Sequence, residues 1–390
     1  MKRRKICVVT TSRADFGLLR GLLQAIKADS VLQLQVIASG MHLARAFGHT
    51  VREIESEGFK VDRKIDMRLK GDTELANLKS IGIGLSGFAD AFSELKPAWV
   101  VLLGDRFELM AAAISALMLR IPIAHIHGGE RSEGAIDESI RHAITKMASL
   151  HFAATKPYRR RIIQMGESPK RVFNFGAPGL DRLYGSPLLT RPQLEKEIGF
   201  GLQQPVAIVT YHPATLDSAS LDRQIRDLVA AIKASGLKAI FTMANADAQG
   251  ARINALLGTL CAQIPARFKW IPHLGHRRYL SCLRHCAVMI GNSSSGLTEA
   301  PSFRLPVVNI GDRQRGRIRG ANVIDVPCSR AAILRGIKKA CSPRFRASLR
   351  GTRNPYDRFR DGRASERIKN VLKHVTLFDD LLKKSFHDLR

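Results

Sequence analysis

Ala287-Val288-Met289-Ile290-Gly291-Asn292-Ser293-Ser294-Ser295-Gly296-Leu297-Thr298-Glu299 runs from an apolar segment, through a Gly/Ser turn, into a predicted helix over residues 297–303. An apolar run without polar alternation reads as a strand buried on both faces, as in a parallel sheet. A strand that ends in such a turn places unpaired backbone N–H groups, small hydroxyls and the positive end of a helix dipole together. That combination suits a phosphate. Glu299 does not belong in a pure anion site, but a carboxylate there can accept the two hydroxyls of a ribose. A nucleoside diphosphate satisfies both halves. The plain alternative is a Ser N-cap with an acid in the first helical turn, and this stretch alone does not choose between them.

Outward from this stretch, the same rhythm fills the chain. Lys5–Thr10, Gln33–Ala38, Trp99–Leu103, Pro122–Ile126 and His151–Ala154 read as strands, with helical periodicity around 15–28, 75–95, 106–119, 135–148 and 156–165. The pattern restarts with strands at Pro205–Tyr211, Ala239–Thr242, Phe268–Trp270, Val288–Ile290 and Val307–Ile310. Strands alternating with helices predict an α/β chain of two doubly wound, Rossmann-like domains with a central cleft, ligands meeting the carboxyl ends of the strands. The expected divisions are 1–182 and 205–365, joined by the Gly/Pro-rich stretch 183–204, with 366–390 as a helix packing back across the domains. Gly82-Ile83-Gly84-Leu85-Ser86-Gly87 spells G-x-G-x-x-G but falls inside a helical segment, where a dinucleotide fingerprint must follow a strand. Close approach of a ligand or another helix explains it better, so no NAD is expected.

Composition narrows the class. The 390 residues carry 62 Lys+Arg against 34 Asp+Glu, formally +28, which raises nucleic acid as a partner. The cations are scattered, however, and the clusters at 159–161, 313–319 and 344–363 have no interleaved aromatics, so no specific nucleic-acid partner is expected. No apolar run reaches the ~20 residues of a membrane span, and 6–10 is too short for a signal-peptide core, giving a cytoplasmic expectation without a membrane partner. Six cysteines show no disulfide framework; Cys282, His285 and Cys286 fit one face of an amphipathic helix better than a metal site.

Four clusters at strand ends carry chemistry. Thr10 to Gly17, with Arg13 and Asp15, offers small residues, a cation and a helix start for an anion. Gly104-Asp105-Arg106 sets a carboxylate at the end of a buried strand, where it caps the next helix or does chemistry. His125-Ile126-His127-Gly128-Gly129-Glu130-Arg131 and Asp137-Glu138-Ser139-Ile140-Arg141-His142 gather three carboxylates beside two glycines, an arrangement suited to acid–base work. The plain alternative is that Asp137 starts a helix and Glu138 pairs with Arg141 or His142 on its surface. Tyr211-His212-Pro213 ends the second domain's first strand, placing His212 to carry or supply charge beside a diphosphate. Arg313, beyond Val307–Ile310, faces the same strand ends.

Taken together, Thr11 to Asp15, Gly104 to Arg106, His125 to Glu130, Asp137 to Lys146, His212-Pro213, Gly291 to Glu299 and Gly311 to Gly316 resemble the hydrolysing UDP-N-acetylglucosamine 2-epimerases of sialic-acid-type pathways. The resemblance implies a two-domain glycosyltransferase-B-like fold and chemistry without metal or cofactor. A base removes the C2 proton while the C1–O bond to UDP breaks; water and a proton then add to the 2-acetamidoglucal, giving N-acetylmannosamine. It implies Asp105, Glu130, Asp137, Glu138 and His212 as catalytic residues. Arg13, Gly17, Arg106, His127, His212, Ser293, Ser294, Ser295, Glu299 and Arg313 would bind the UDP-sugar. A dimer or tetramer is the family expectation. Three related reactions stay open: this one, the same chemistry on UDP-2,4-diacetamido-2,4,6-trideoxyglucose, and reversible epimerisation without hydrolysis. Two departures stand out: His127 occupies a place where relatives, especially non-hydrolysing ones, carry Glu, and Asn354-Pro355-Tyr356 is followed by an insertion before Asp361-Gly362.

Overall fold

In the computed structural model, described over residues 3–45, 48–69, 73–133, 136–185, 187–212, 221–243, 250–376 and 381–389, the chain forms two compact units. The first comprises Met1–Glu130, Ile136–Gly185 and Tyr356–Arg390; the second, Arg131–Ala135 and Ser186–Pro355.

The first unit opens with β1 (Arg4–Thr10), α1 (Arg13–Ala28), β2 (Leu32–Ser39), α2 (Val51–Ser56), β3 (Arg63–Ile65) and α3 (Glu74–Leu95). It continues with β4 (Trp99–Leu103), α4 (Phe107–Met118), β5 (Ile123–Ile126), α5 (Asp137–Met147), β6 (Leu150–Ala153), α6 (Lys156–Gln164), β7 (Val172–Asn174) and α7 (Arg182–Gly185). Its seven strands are parallel in the order β3-β2-β1-β4-β5-β6-β7. The order reverses between β1 and β4, which opens a crevice at their carboxyl ends.

Side-chain alternation explains why this sheet is covered twice. Ile6 and Val8 of β1, with Trp99, Val101 and Leu103 of β4, enter one apolar cluster with α1. Cys7, Val9, Val100 and Leu102 enter the opposite cluster with α3 and α4. Successive residues point to opposite faces, so unbroken apolar strands fill two cores. Each fully buried aliphatic side chain contributes ~1.5–3 kcal/mol. The G-x-G-x-x-G segment lies in α3, where a Cβ at Gly84 would stand 2.6 Å from Met67 and one at Gly87 2.6 Å from Ile65. These glycines let α3 pack closely on its own unit.

The second unit contains α8 (Arg191–Ile198), β8 (Val206–Thr210), α9 (Leu221–Ser235), β9 (Lys238–Phe241), α10 (Gly250–Gln263), β10 (Phe268–Trp270) and α11 (Gly275–His285). It then forms β11 (Val288–Gly291), α12 (Ser295–Thr298), β12 (Val307–Ile310), β13 (Val323–Val326), α13 (Arg330–Cys341) and α14 (Pro343–Ser348). Its six parallel strands run β10-β9-β8-β11-β12-β13, reversing between β8 and β11. Both sheets with their alternating helices make the two-domain, Rossmann-like, glycosyltransferase-B-like fold.

The boundaries differ from the sequence expectation. Most of the expected linker 183–204 is structured within the second unit: α8 starts where Gln193 accepts the Thr190 N–H and stops at Gly199 in the left-handed region. The C-terminal return begins at Tyr356, not 366. Tyr356 accepts the Ala177 N–H and its hydroxyl lies 2.9 Å from that of Tyr158. The last helix, α15 (Ala364–His374), packs on α1 within the first unit, its first N–H groups held by Asp181 at 2.9 and 2.6 Å. The inserted segment before it is largely exposed.

Candidate active site

Asp105, directly after β4, does not cap α4, whose N-cap is Arg106. It faces α5 instead: Arg141 donates from Nε to Asp105 Oδ2 at 2.8 Å and again from Nη2. The same guanidinium donates from Nη1 to Glu138 Oε2 at 2.9 Å and to the Glu130 carbonyl at 3.0 Å. Arg141 is 1% exposed, whereas the side chains of Asp105 and Glu138 keep 21% and 29% in water. Glu138 therefore pairs with Arg141 as the plain alternative held, yet the pair is a buried anchor and not surface decoration. His142 completes Glu138's surroundings, donating to Oε1 at 3.1 Å. Asp137 is the first residue of α5, beside Glu138 in its acidic first turn.

Beneath this layer, His125 on β5 donates from Nε2 to the Gly104 carbonyl at 2.8 Å, and its Nδ1 lies 3.2 Å from Thr145. Complete burial drives His125 down to about 3, so it stays neutral and serves as a strut holding the Asp105 turn. The turn His127 to Glu130 follows β5. Gly129, at φ +73°, has no room for a Cβ, which would stand 2.6 Å from the Tyr158 carbonyl. His127 itself adopts φ +65°, and its Nδ1 lies 2.6 Å from Glu130 Oε1.

Other predicted residues lie at the end of β1 and the start of α4. Ser12 caps α1 by accepting the Asp15 N–H, and Asp15 accepts the Thr11 hydroxyl at 2.6 Å. Burial raises the Asp15 carboxyl above the ordinary carboxylate range, against the lowering influence of Arg106. Arg106 is paired with Glu108, at 2.9 Å, and Glu108 is completely buried. Arg13 lies apart, bridged to Glu53 at 2.8 Å, and Gly17 accepts a bond from Arg182 at 3.1 Å.

The second unit builds its half around Asn292, which the sequence reading quoted without assigning a role. Its side chain accepts the His212 N–H at 2.7 Å and donates to the His212 carbonyl at 2.8 Å, bolting β11's end to β8's. The Asn292 carbonyl takes Gln314 at 2.9 Å and Arg313 at 3.4 Å. Gly291 is obligatory: at φ +136°, a Cβ would lie 1.9 Å from the Thr210 carbonyl oxygen. Burial, then the Arg313 charge, hold His212 well below the usual histidine range. Pro213 lies outside the described residues.

The helix expected over 297–303 is one α turn, α12, followed by a 3-10 turn Ala300–Phe303, since Pro301 lacks the N–H to continue it. A single turn has little macrodipole, so exposed backbone groups and hydroxyls matter more here than the dipole argument allowed. Ser293 and Ser294 remain partly open, but Ser295 is 8% exposed and its Oγ accepts the Tyr279 hydroxyl at 2.7 Å. Ser295 therefore packs against α11. Burial and the nearby Glu299 charge raise Tyr279 far above its ordinary value, keeping it a donor.

Cys282 and Cys286 are buried in the apolar packing of α11, and His285 donates to the Leu189 carbonyl. Among the described residues, no cluster of three or more His, Cys, Asp or Glu forms a metal site, and no helix is long and apolar enough to cross a membrane.

Two parallel α/β units with glycine turns at their strand ends define a two-domain Rossmann-like fold class. Residues 24–373 match the family model described as UDP-N-acetylglucosamine 2-epimerase, so the chain belongs to that family, in its hydrolysing branch. It is 41% identical to a GDP/UDP-N,N′-diacetylbacillosamine 2-epimerase (hydrolyzing) of Campylobacter jejuni, over 100% of both chains. It is 38% identical to a UDP-N,N′-diacetylbacillosamine 2-epimerase (hydrolyzing) of Legionella pneumophila, over 98% of each. Among solved structures, it is similar to the Neisseria meningitidis UDP-GlcNAc 2-epimerase bound to UDP-GlcNAc, with a TM-score of 0.80 at 16% identity over 95% of this chain and 99% of that one. This last likeness is one of fold.

Proposed function

We propose that the protein is a hydrolysing 2-epimerase whose substrate is UDP-2,4-diacetamido-2,4,6-trideoxyglucose (UDP-N,N′-diacetylbacillosamine), yielding UDP and the free sugar inverted at C2. The full-length similarity to the two diacetylbacillosamine enzymes carries the choice of sugar. UDP-GlcNAc, the first expectation from sequence, is the second reading; it is favoured by 30% identity over 99% of the chain to a UDP-N-acetylglucosamine 2-epimerase of Neisseria meningitidis.

In this account, Ser293, Ser294, Glu299, Arg313 and neutral His212 hold UDP, with Asn292 keeping the His212 turn in place. Arg13, Gly17, Arg106 and His127 complete the contacts to the UDP-sugar. Asp105, Glu130, Asp137 and Glu138 surround the reacting sugar carbons and manage protons. Elimination removes the proton from C2; its bond electrons form the C1=C2 double bond, and the C1–O bond breaks with its pair leaving on UDP. Water then bonds to C1 while C2 gains a proton on the opposite face. Fixed cations beside the departing diphosphate and preset carboxylates reduce the rearrangement needed as charge moves.

The test compares UDP release from the two sugars under identical conditions. A kcat/KM that favours the diacetamido trideoxy sugar by tenfold or more supports the assignment. A preference for UDP-GlcNAc moves it to the second reading, and turnover of neither refutes the hydrolytic function.

A further inference from the structure

We infer that His127, oriented by Glu130, is the base that takes the C2 proton; this rests on the 2-epimerase reading above. Three features of one turn carry it. His127 holds φ +65°, a conformation that non-glycine residues rarely adopt and that persists only where surroundings over-determine it. The surroundings here do so: His127 N–H donates to the Phe152 carbonyl at 3.1 Å, Arg161 grips the Gly129 carbonyl, and Arg141 donates to the Glu130 carbonyl at 3.0 Å. The backbone is thus bolted at three points to keep a histidine in a costly geometry.

The second feature is the pair itself. Nδ1 of His127 lies 2.6 Å from Glu130 Oε1, and the two side chains are only 13% and 4% exposed. A carboxylate at Nδ1 fixes the proton on that nitrogen and leaves the lone pair on Nε2. The third feature is that Nε2 is buried and has no hydrogen-bond partner among the described residues. A buried ring nitrogen without a partner is costly in a structural histidine and appropriate in a proton acceptor. His125, two residues earlier, makes the contrast: its Nε2 is bonded to the Gly104 carbonyl and its Nδ1 has Thr145 beside it.

Asp105 and Glu138 suit this role less, because both are gripped by the buried Arg141 guanidinium. A carboxylate hydrogen-bonded to a guanidinium is a weaker base than one without that bond. In the inferred step, the C2 proton passes to Nε2 and the C2–H electrons become the C1=C2 bond as UDP departs. The resulting imidazolium is stabilised by Glu130 and returns its proton to solvent before the next turnover. The proton that later arrives at C2 comes from the opposite face, and hence from a different group.

Two variants test the inference. His127→Asn tolerates positive φ and keeps an amide toward Glu130, but it lacks the outer nitrogen. It should fold with the parent's melting temperature and lose ~10²–10⁴-fold in turnover, the range for a positioned general base. His127→Gly is conformationally relaxed at φ +65° and leaves a space; added imidazole should restore UDP release in a saturable manner. A merely positioning histidine would not be rescued by a free base. Turnover of His127→Asn within fivefold of the parent, or no rescue of His127→Gly, overturns the inference. If the parent protein releases UDP from neither sugar, the 2-epimerase reading fails first and the inference falls with it.

Discussion

Replacing Arg141 by Met removes a guanidinium that binds Asp105, Glu138 and the Glu130 carbonyl together. Breaking a buried ion pair by deleting one partner costs ~3–5 kcal/mol. Asp105 and Glu138 retain 21% and 29% of their exposure, so water relieves part of that penalty and the lower end, ~3 kcal/mol, applies. At ~2–4 °C per kcal/mol, the first unit should melt roughly 6–12 °C lower. Arg141→Lys restores the charge without the fork and should recover only part of this. In Arg141→Met/Asp105→Asn, both members of one pair are changed, so the two losses should be less than additive by ~0.5–3 kcal/mol. Turnover in Arg141→Met should fall by ~10²-fold or more, since both carboxylates lose their fixed positions. UDP affinity should not change. Thermal unfolding of the four proteins, with UDP titration and UDP release, makes the measurement. A melting temperature within 1 °C of the parent together with parental turnover would refute the claim that Arg141 organises the site.

Other consequences are equally direct. Gly291→Ala drives a Cβ to 1.9 Å from the Thr210 carbonyl, and we expect no soluble folded protein; recovery of a normal melting curve would contradict the backbone geometry. Asn292→Ala removes two hydrogen bonds to the His212 backbone, each worth ~0.5–1.5 kcal/mol, and should weaken UDP at least tenfold by calorimetry. His42 and His125, held by burial at about 4 and about 3, remain neutral in the folded chain but protonate near 6.5 once unfolded. The unfolded state then binds more protons below pH 6.5, so stability should fall as pH drops toward 4 and 3, by ~2 kcal/mol per histidine at pH 5. Glu167 behaves differently: burial opposes its ionisation, but hydrogen bonds from His151, Lys146 and Lys384 prevail and hold it at about 2. Its contribution is complete above 4.5 and lost as pH falls toward 2, so Glu167→Gln should remove that part of the acid dependence in urea-unfolding midpoints.

The strand-end motifs were legible because chemistry there is local: a buried strand, a glycine turn and a helix start lie within a dozen residues. The order of the βα units was legible for the same reason. The edge strands β3, β7 and β13 escaped the reading, because Arg63-Lys64-Ile65 and Val172-Phe173-Asn174 are too short for periodicity and Val323–Val326 is only partly buried. Arg141 looked like a surface partner of Glu138, since helical spacing says nothing of the burial that Asp105, thirty-six residues earlier, imposes from β4. Asn292 looked like turn chemistry; its hold on His212 spans eighty residues and exists only once β8 and β11 pair. The C-terminal return was foreseen as a helix, but its attachment through Tyr356 and Asp181 depends on partners that no short window contains. The sugar itself was not readable, because no single residue distinguishes a C4 acetamido group from a hydroxyl.

Proton NMR of the protein with each UDP-sugar in D₂O tests the central claim most directly. The account predicts free UDP and a free, C2-inverted sugar carrying deuterium at C2, because the C2 proton is exchanged between elimination and hydration. A product that keeps protium at C2, or one still attached to UDP, would contradict it.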